Sequence, residues 1–252
     1  MFLENRYLKI KNIVQLARKN NMPAIALTDN NNLFGALEFA LESVENGIQP
    51  IIGSSLNLLD VEKNILNKGQ EVYSKLKYSN FPVISAPYNL ALGGGCEIVL
   101  HSNYVQAHIE LYIGLTEAAL GILPAWGGCK ELLARFSFNK NIPKGPMPAI
   151  LKAFELIGTA KVSTSAHEAK QLGYLREIDG ITMNRNRLLF DAKVKALELI
   201  SDFRPPEKHI YRLPGKTAFA AMKLAMINMN STGQISDHDQ FVGENIANVL
   251  SG

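Results

Sequence analysis

Three consecutive glycines, Gly93, Gly94 and Gly95, separate an apolar run that ends at Leu92 from the helix-like stretch CEIVL. Glycine permits backbone conformations with positive φ and lets another group approach closely, so such a triplet is typical of a tight strand-to-helix turn. The amides at the start of a helix, together with its dipole, favour a bound anion. This segment therefore predicts a strand, a turn and a helix that can bind an anion or a developing oxyanion. The alternative use of the glycines is close packing of helix on strand.

The apolar run around these glycines, residues 83–100, is long enough to be mistaken for a membrane span. It contains Pro87, the glycine triplet and Glu97. An acidic residue in the bilayer centre costs about 2.5 to 3.5 kcal/mol. We therefore expect a buried strand, turn and helix here, and no membrane partner.

The order of apolar patterns along the chain predicts an α/β architecture. Residues 1–60 read as a βαβ-like unit, with helices over 10–20 and 33–44 and strands over 24–28 and 48–52. The pattern of apolar and polar residues changes at about residue 61. From there the patterns predict a polar helix over 61–78, short strands near 81–87 and 103–108, and a mainly helical remainder with helices over 148–157, 184–201, 216–228 and 234–250.

Composition excludes several classes of protein. The 252 residues are 47% apolar, which argues against disorder, and the net charge of +3 comes without any run of five like charges. We expect no nucleic-acid partner. Two cysteines cannot form a disulfide framework, and the first residues lack the apolar stretch of a secretory signal, so we expect a cytoplasmic protein.

Two carboxylates accompany the glycine-rich turns. Glu97 lies in the first turn of the helix that the glycines open, and Glu117 lies twenty residues further on, beside a second glycine-rich turn. Two carboxylates that converge on one water suit addition or elimination next to a carbonyl, because one activates the water and the other moves the proton at carbon. The alternative for each is a solvated charge or a helix N-terminal charge. His101 and His108 do not have a zinc-ligand spacing, and we expect no metal site.

The segment ALGGGCEIVL, followed at this spacing by EAALGILPAWGG, resembles the crotonase, or enoyl-CoA hydratase/isomerase, superfamily over about residues 64–252. The closest likeness is to the C-terminal domain of bacterial 3-hydroxyacyl-CoA dehydrogenase proteins, through SAPYNLALGGGCEIVLHS, AWGGCKELLARF and DGITMNRNRLL. This resemblance implies a ββα spiral with a C-terminal helical region, an acyl-CoA thioester substrate of fatty-acid β-oxidation and no tightly bound cofactor. It also implies the family's usual homotrimer, or association with a dehydrogenase partner.

The same resemblance implies roles for three residues. The Gly94 N–H would be one oxyanion donor for the thioester enolate, and Glu97 and Glu117 would be the acid/base pair of a lyase or isomerase. Residues that bind the rest of the substrate stay unassigned. The family's second oxyanion donor comes from an earlier turn, and no such segment precedes Asn64. We therefore expect residues 61–252 to be a crotonase-like domain that lacks its first strands and is inactive if that donor is missing.

Residues 12–53, NIVQLARKNNMPAIALTDN through NGIQPIIG, resemble the PHP domain at the start of the bacterial DNA polymerase III alpha subunit. Metal-binding members of that family have a histidine where this chain has Asn30 and an acidic residue where it has Ser54 and Ser55. Only Asp29 remains of the ligand set, so the resemblance implies a partial PHP-like segment over residues 1–60 without a metal.

Three functions therefore stay open. The first is an enoyl-CoA hydratase/isomerase-type protein, and the second is a non-catalytic remnant of a gene fusion or split gene. The third is a segment related to DNA polymerase III alpha.

Overall fold

The computed structural model describes residues 9–30, 36–55, 61–145 and 147–252. The chain divides into two compact units, Met1–Ile65 and Leu66–Gly252. In the described part of the first unit, parallel strands β1 (Ala24–Asn30) and β2 (Gln49–Ser55) accompany helices α1 (Ile10–Lys19) and α2 (Ala36–Glu45). The predicted βαβ-like order is confirmed, although residues 33–35 of the second predicted helix lie outside the described residues.

The first unit has a small core of its own. Val14 and Ala17 occupy one face of α1 at helical spacing and are buried with Phe39 of α2. Ile48, just before β2, completes the buried set, and Ile25 of β1 packs against it. The apolar stripe of α1 is therefore what holds this helix to its unit.

Helix α3 (Val61–Lys77) precedes the strands of the second unit. The further strands are β3 (Ile84–Ser85), β4 (Asn89–Leu92), β5 (Tyr104–His108), β6 (Leu111–Gly114) and β7 (Gly180–Thr182). The further helices are α4 (Gly94–His101), α5 (Gly128–Ser137), α6 (Pro148–Gly158), α7 (Ala166–Gln171), α8 (Leu188–Ile200), α9 (Lys216–Ser231) and α10 (Asp237–Ser251).

The strands of the second unit form parallel ladders. One ladder has the order β3, β5, β7, and the other pairs β4 with β6 so that Ala91 lies opposite Ile113. Parallel neighbours need crossover connections, and α4 lies in such a connection between β3 and β5. The predicted α/β class is confirmed. Sequence patterns missed β4, β6, α7 and β7, because runs of three to six residues are too short to show a period.

The core of the second unit lies between the strands and the helices. From the strands come Val105 and Ala107 of β5 and Leu111 and Ile113 of β6. The helices contribute buried side chains that include Cys96, Val99, Leu132, Phe136, Ile150, Ile157, Met222, Ile246 and Leu250. Because α4 and β6 are both packed into this core, Glu97 in the first turn of α4 and Glu117 shortly after β6 are held in fixed positions.

The apolar run of residues 83–100 forms β3, β4 and α4, so the predicted strand and helix are present, while β4 is an additional strand that was not predicted. Among the described helices, none has the length and apolar character needed to cross a bilayer.

A buried ionic network joins α5 to the strands. The Arg135 guanidinium donates to the carbonyls of Tyr174, at 2.9 Å, and Leu100, at 3.2 Å, and lies 4.0 Å from Asp179. Burial lowers the pKa of Arg135 to about 10. The Asp179 carboxylate accepts the backbone N–H of Val105, the first buried residue of β5. It also receives two side-chain hydrogen bonds from Arg176.

We expect Asp179→Ala to lower the free energy of unfolding by about 3 to 5 kcal/mol, because it leaves the buried Arg135 without its counter-charge. The measurement is urea unfolding followed by circular dichroism. The control is Glu155→Ala, which removes an exposed pair with Lys152 and should change stability by about 0.5 kcal/mol or less. Equal effects of the two substitutions would contradict this reading of the network.

Candidate active site

The glycine turn begins where β4 ends. Gly93 has φ 53° and ψ −123°, a conformation that side chains disfavour, and its N–H donates to the Gly114 carbonyl at 3.0 Å. Helix α4 starts at Gly94, whose N–H is one of the first four in the helix and has no acceptor within it. The predicted turn and helix are confirmed, and the turn presents the Gly94 amide.

Glu97 is fixed by a second glycine turn. Its side chain is buried, with 2% of the residue exposed, and its Oε1 accepts the backbone N–H groups of Trp126, at 3.0 Å, and Gly128, at 2.8 Å. Gly128 begins α5, and a Cβ there would lie 3.0 Å from the same oxygen. Gly127 has φ 107°, and a Cβ there would lie 2.9 Å from the His101 ring. Glycine at both positions therefore permits the close approach that holds Glu97.

The protonation of Glu97 is balanced by opposing effects. Burial, together with the nearby charge of Glu117, raises its pKa to about 7. The N–H groups of Gly128 and Trp126 act in the opposite direction, since they stabilise the carboxylate. A carboxyl group that titrates near neutral pH can both accept and release a proton.

Glu117 follows β6 and starts a 3₁₀ turn, Glu117–Leu120. It is 9% exposed, and burial raises its pKa. Its Oε1 would lie 3.5 Å from a Cβ on Gly93, while its Oε2 has no hydrogen-bond partner among the described residues. The structure thus places Gly93, Gly94, Glu97 and Glu117 in one cluster, and the alternative of a solvated surface charge is excluded for both glutamates.

Tyr73 and Trp126 cover this cluster, a feature that sequence reasoning missed. The Tyr73 hydroxyl donates to the Gly94 carbonyl at 3.1 Å, and its ring lies 5.4 Å from the Trp126 ring, centroid to centroid. A Cβ on Gly94 would stand 3.3 Å from the indole. Two sequence signals could have indicated that an aromatic side chain packs here. Trp126 is the single tryptophan of the chain, and Gly69 interrupts a helical pattern.

A series of buried polar contacts links α4 to α5 and α3. His101 Nδ1 donates to the Glu97 carbonyl at 2.8 Å, and Nε2 lies 3.6 Å from Glu131 Oε1. Burial lowers the pKa of His101. Glu131 Oε2 in turn accepts a hydrogen bond from Lys77 Nζ of α3 at 2.5 Å. These contacts fix α3, α4 and α5 around the carboxylates. His108 lies elsewhere, where its Nε2 donates to the Met183 carbonyl.

A cavity of about 840 Å³ lies in the second unit away from the carboxylates. Its lining includes Arg135, Phe138, Arg176 and Tyr211, and neither Glu97 nor Glu117 belongs to it. The glycine turns are the candidate active site, because the paired carboxylates and the Gly94 amide, which has no acceptor within α4, are found there.

Within the described residues, no group of three His, Cys, Asp or Glu side chains is arranged to hold a metal ion. The donor set suggested for the PHP-like segment does not fit a divalent metal cluster either, because Asn30, Ser54 and Ser55 stand where imidazole and carboxylate ligands would be needed.

Comparison with known proteins finds the PHP domain family over residues 6–174, well over half of the chain. The chain belongs to the PHP domain family. This match reaches further than the residues that carry the sequence motif, 12–53, and it extends into the second unit. One relative, the DNA polymerase III subunit alpha of Rickettsia felis, is 52% identical over 68 residues, which are 26% of this chain and 6% of that protein.

This member of the PHP domain family is also similar to proteins named as enzymes of acyl-CoA compounds. It is 40% identical over 199 residues to a probable 3-hydroxyacyl-CoA dehydrogenase of Bacillus subtilis, covering 78% of this chain and 24% of that protein. It thus spans about a quarter of that relative's length. Among solved structures, an enoyl-CoA hydratase from Bacillus anthracis matches 96% of this chain and 78% of its own, with 20% identity and a TM-score of 0.46. The predicted resemblances to the PHP domain and to bacterial 3-hydroxyacyl-CoA dehydrogenase proteins are confirmed.

The raised pKa of Glu97 predicts a specific dependence of stability on pH. A carboxyl whose pKa rises on folding stabilises the folded state while it is protonated, and this contribution disappears as pH rises from about 4.5 through about 7. Relative to Glu97→Gln, the wild-type free energy of unfolding should therefore fall by about 3 kcal/mol between pH 4.5 and pH 8. Urea unfolding at each pH measures it, and parallel pH profiles for the two proteins would contradict it.

The packing of Trp126 predicts coupling with Gly69 of α3. A Cβ on Gly69 would overlap the indole atoms Nε1, Cδ1 and Cε2. Gly69→Ala should therefore destabilise the wild type by about 1 to 3 kcal/mol through overpacking. In a Trp126→Ala background it should stabilise by about 1 kcal/mol, the helix preference of alanine over glycine. A double-mutant cycle by urea unfolding measures the coupling, and equal effects in both backgrounds would disprove the contact.

Proposed function

We propose that residues 61–252 form a crotonase-like domain of enoyl-CoA hydratase/isomerase type that acts on acyl-CoA thioesters in fatty-acid oxidation. The observation that carries the proposal is the cluster of two buried carboxylates with raised pKa values beside the Gly94 amide. The name of the Bacillus subtilis relative, a probable 3-hydroxyacyl-CoA dehydrogenase, supports an acyl-CoA thioester as the substrate. Residues 1–60 are proposed as a partial PHP-like segment.

In this proposal, Gly94 stabilises negative charge on the substrate. Its N–H donates to the thioester carbonyl oxygen and stabilises the negative charge that develops there when a nucleophile adds to the conjugated double bond. The positive end of the α4 dipole acts in the same direction. The absence of a side chain on Gly94 leaves its amide approachable beside the indole of Trp126.

The two carboxylates divide the proton transfers. Glu97, held through Oε1 by two N–H groups, takes a proton from water as the water oxygen bonds to carbon 3 and the double-bond electrons move onto the carbonyl oxygen. Glu117, whose Oε2 is unpartnered among the described residues, delivers its proton to carbon 2 as the enolate collapses. The sum is H and OH added across the double bond, and a proton passed from Glu97 to Glu117 restores the pair.

The second oxyanion donor implied by the crotonase resemblance matches no motif in the sequence before Asn64. Loss of one such donor costs about 10²- to 10³-fold in rate. We therefore propose that the enzyme is slow. We also propose that it acts in the cytoplasm and that its partners are its own copies or a dehydrogenase.

Replacement of the proton donor tests the proposal. Glu117→Gln should lower the rate of crotonyl-CoA hydration by about two to four powers of ten, the usual contribution of general acid/base catalysis. Loss of absorbance of the conjugated thioester measures the rate. The matched control is Glu110→Gln, the same change at an exposed position, which should leave the rate unaltered.

The alternative of a non-catalytic remnant gives a different result. An acyl-CoA that binds only the folded state raises its stability by RT ln(1 + [L]/Kd), so the thermal transition of an enzyme should shift upward with ligand. A chain with no measurable hydration and no ligand-dependent shift would refute the proposed function. Turnover that survives Glu117→Gln would refute the role of Glu117 alone.

A further inference from the structure

The indole of Trp126 fills the space between helix α3 and the glycine turn. Its pyrrole edge faces α3, where a Cβ on Gly69 would stand 2.6 Å from Cε2. Its benzene edge faces the turn, where a Cβ on Gly94 would stand 3.3 Å from Cζ3 and 3.5 Å from Cε3. The ring therefore forms a wall beside Gly94, the residue whose amide the proposed function assigns to the thioester oxygen.

This wall is held on several sides. The backbone N–H of Trp126 donates to Glu97, which ties the position of the residue to the carboxylate. The Tyr73 ring packs at 5.4 Å from the indole, and the Tyr73 hydroxyl is bonded to the Gly94 carbonyl. On the α3 side, any movement of the ring meets the helix backbone at Gly69. A ligand cannot push the indole aside without breaking these contacts.

We propose that Trp126 determines acyl-chain length and restricts the site to short-chain acyl-CoA thioesters of about four carbons. The proposal rests on the proposed function. In this proposal, carbons 2 and 3 of a thioester bound at the Gly94 amide lie beside Glu97 and Glu117, and the further methylenes run toward the benzene edge of the indole. A rigid wall of this kind discriminates by 10- to 200-fold for each group that does not fit.

Removal of the indole should open an apolar space. Cavities left by large apolar side chains bind apolar ligands without water. Each methylene that enters such a space gains roughly fourfold in affinity, the equivalent of its transfer from water. A smaller residue at position 126 is therefore expected to favour the longer acyl chain.

The experiment measures binding of saturated, unreactive thioesters to the full chain by isothermal titration calorimetry. Wild type should bind butyryl-CoA at least tenfold more tightly than octanoyl-CoA, and Trp126→Ala should reverse that preference by at least tenfold. Trp126→Leu gives the same comparison with less loss of packing if the alanine variant does not fold. Phe241→Ala, which removes an exposed aromatic ring on α10, is the control and should keep the wild-type ratio.

Fluorescence provides a readout that a purely structural role would not affect. Because the chain has a single tryptophan, its emission reports the surroundings of Trp126 alone. Butyryl-CoA should shift or quench that emission more strongly than free CoA at equal occupancy, since the acyl group is what touches the indole.

The outcomes separate this inference from the proposed function. Affinity that is independent of chain length, or a length preference that Trp126→Ala and Trp126→Leu leave unchanged, overturns the role of Trp126 while the hydration assay with Glu117→Gln stands. Equal fluorescence changes with CoA and butyryl-CoA also overturn it. Failure of both thioesters to bind overturns both proposals.

Discussion

The arrangement of the second unit depends on one buried carboxylate oxygen. Oε1 of Glu97, on α4, accepts two backbone N–H groups from the turn that opens α5. These bonds join the two helices at their N-terminal ends, and they are possible because Gly127 and Gly128 have no side chains in the way. The same oxygen therefore sets the spacing of the helices and the position of the carboxyl group that we assign to proton transfer.

That dual role creates a conflict between stability and chemistry. Burial of Glu97 opposes its ionisation, while the two N–H donors favour the carboxylate, and the balance leaves its pKa at about 7. A better-solvated Glu97 would stabilise the fold near neutral pH but would lose its readiness to bind a proton. Glu117 adds to the conflict, because its charge further opposes ionisation of Glu97.

Sequence alone was sufficient for the parts of the structure with a long period or a glycine signal. The amphipathic stripes predicted α1, α6, α9 and α10 to within a few residues, and the triplet at Gly93 predicted the turn and the placement of Glu97. Strand β6 was missed because four residues show no period, although it is the element that brings Glu117 to the turn. Tyr73 and Trp126 were missed because their proximity depends on how α3 packs against α5, which no local pattern encodes.

The contact between Gly69 and Trp126 constrains how the chain can change through mutation. Alanine at position 69 is acceptable only after the indole has become smaller, whereas a smaller residue at position 126 is sterically acceptable at any time. Substitutions at the two positions can therefore accumulate in one order and not in the other. Once alanine occupies position 69, a return of tryptophan at 126 is opposed by the same overlap, so a loss of the indole would become difficult to reverse.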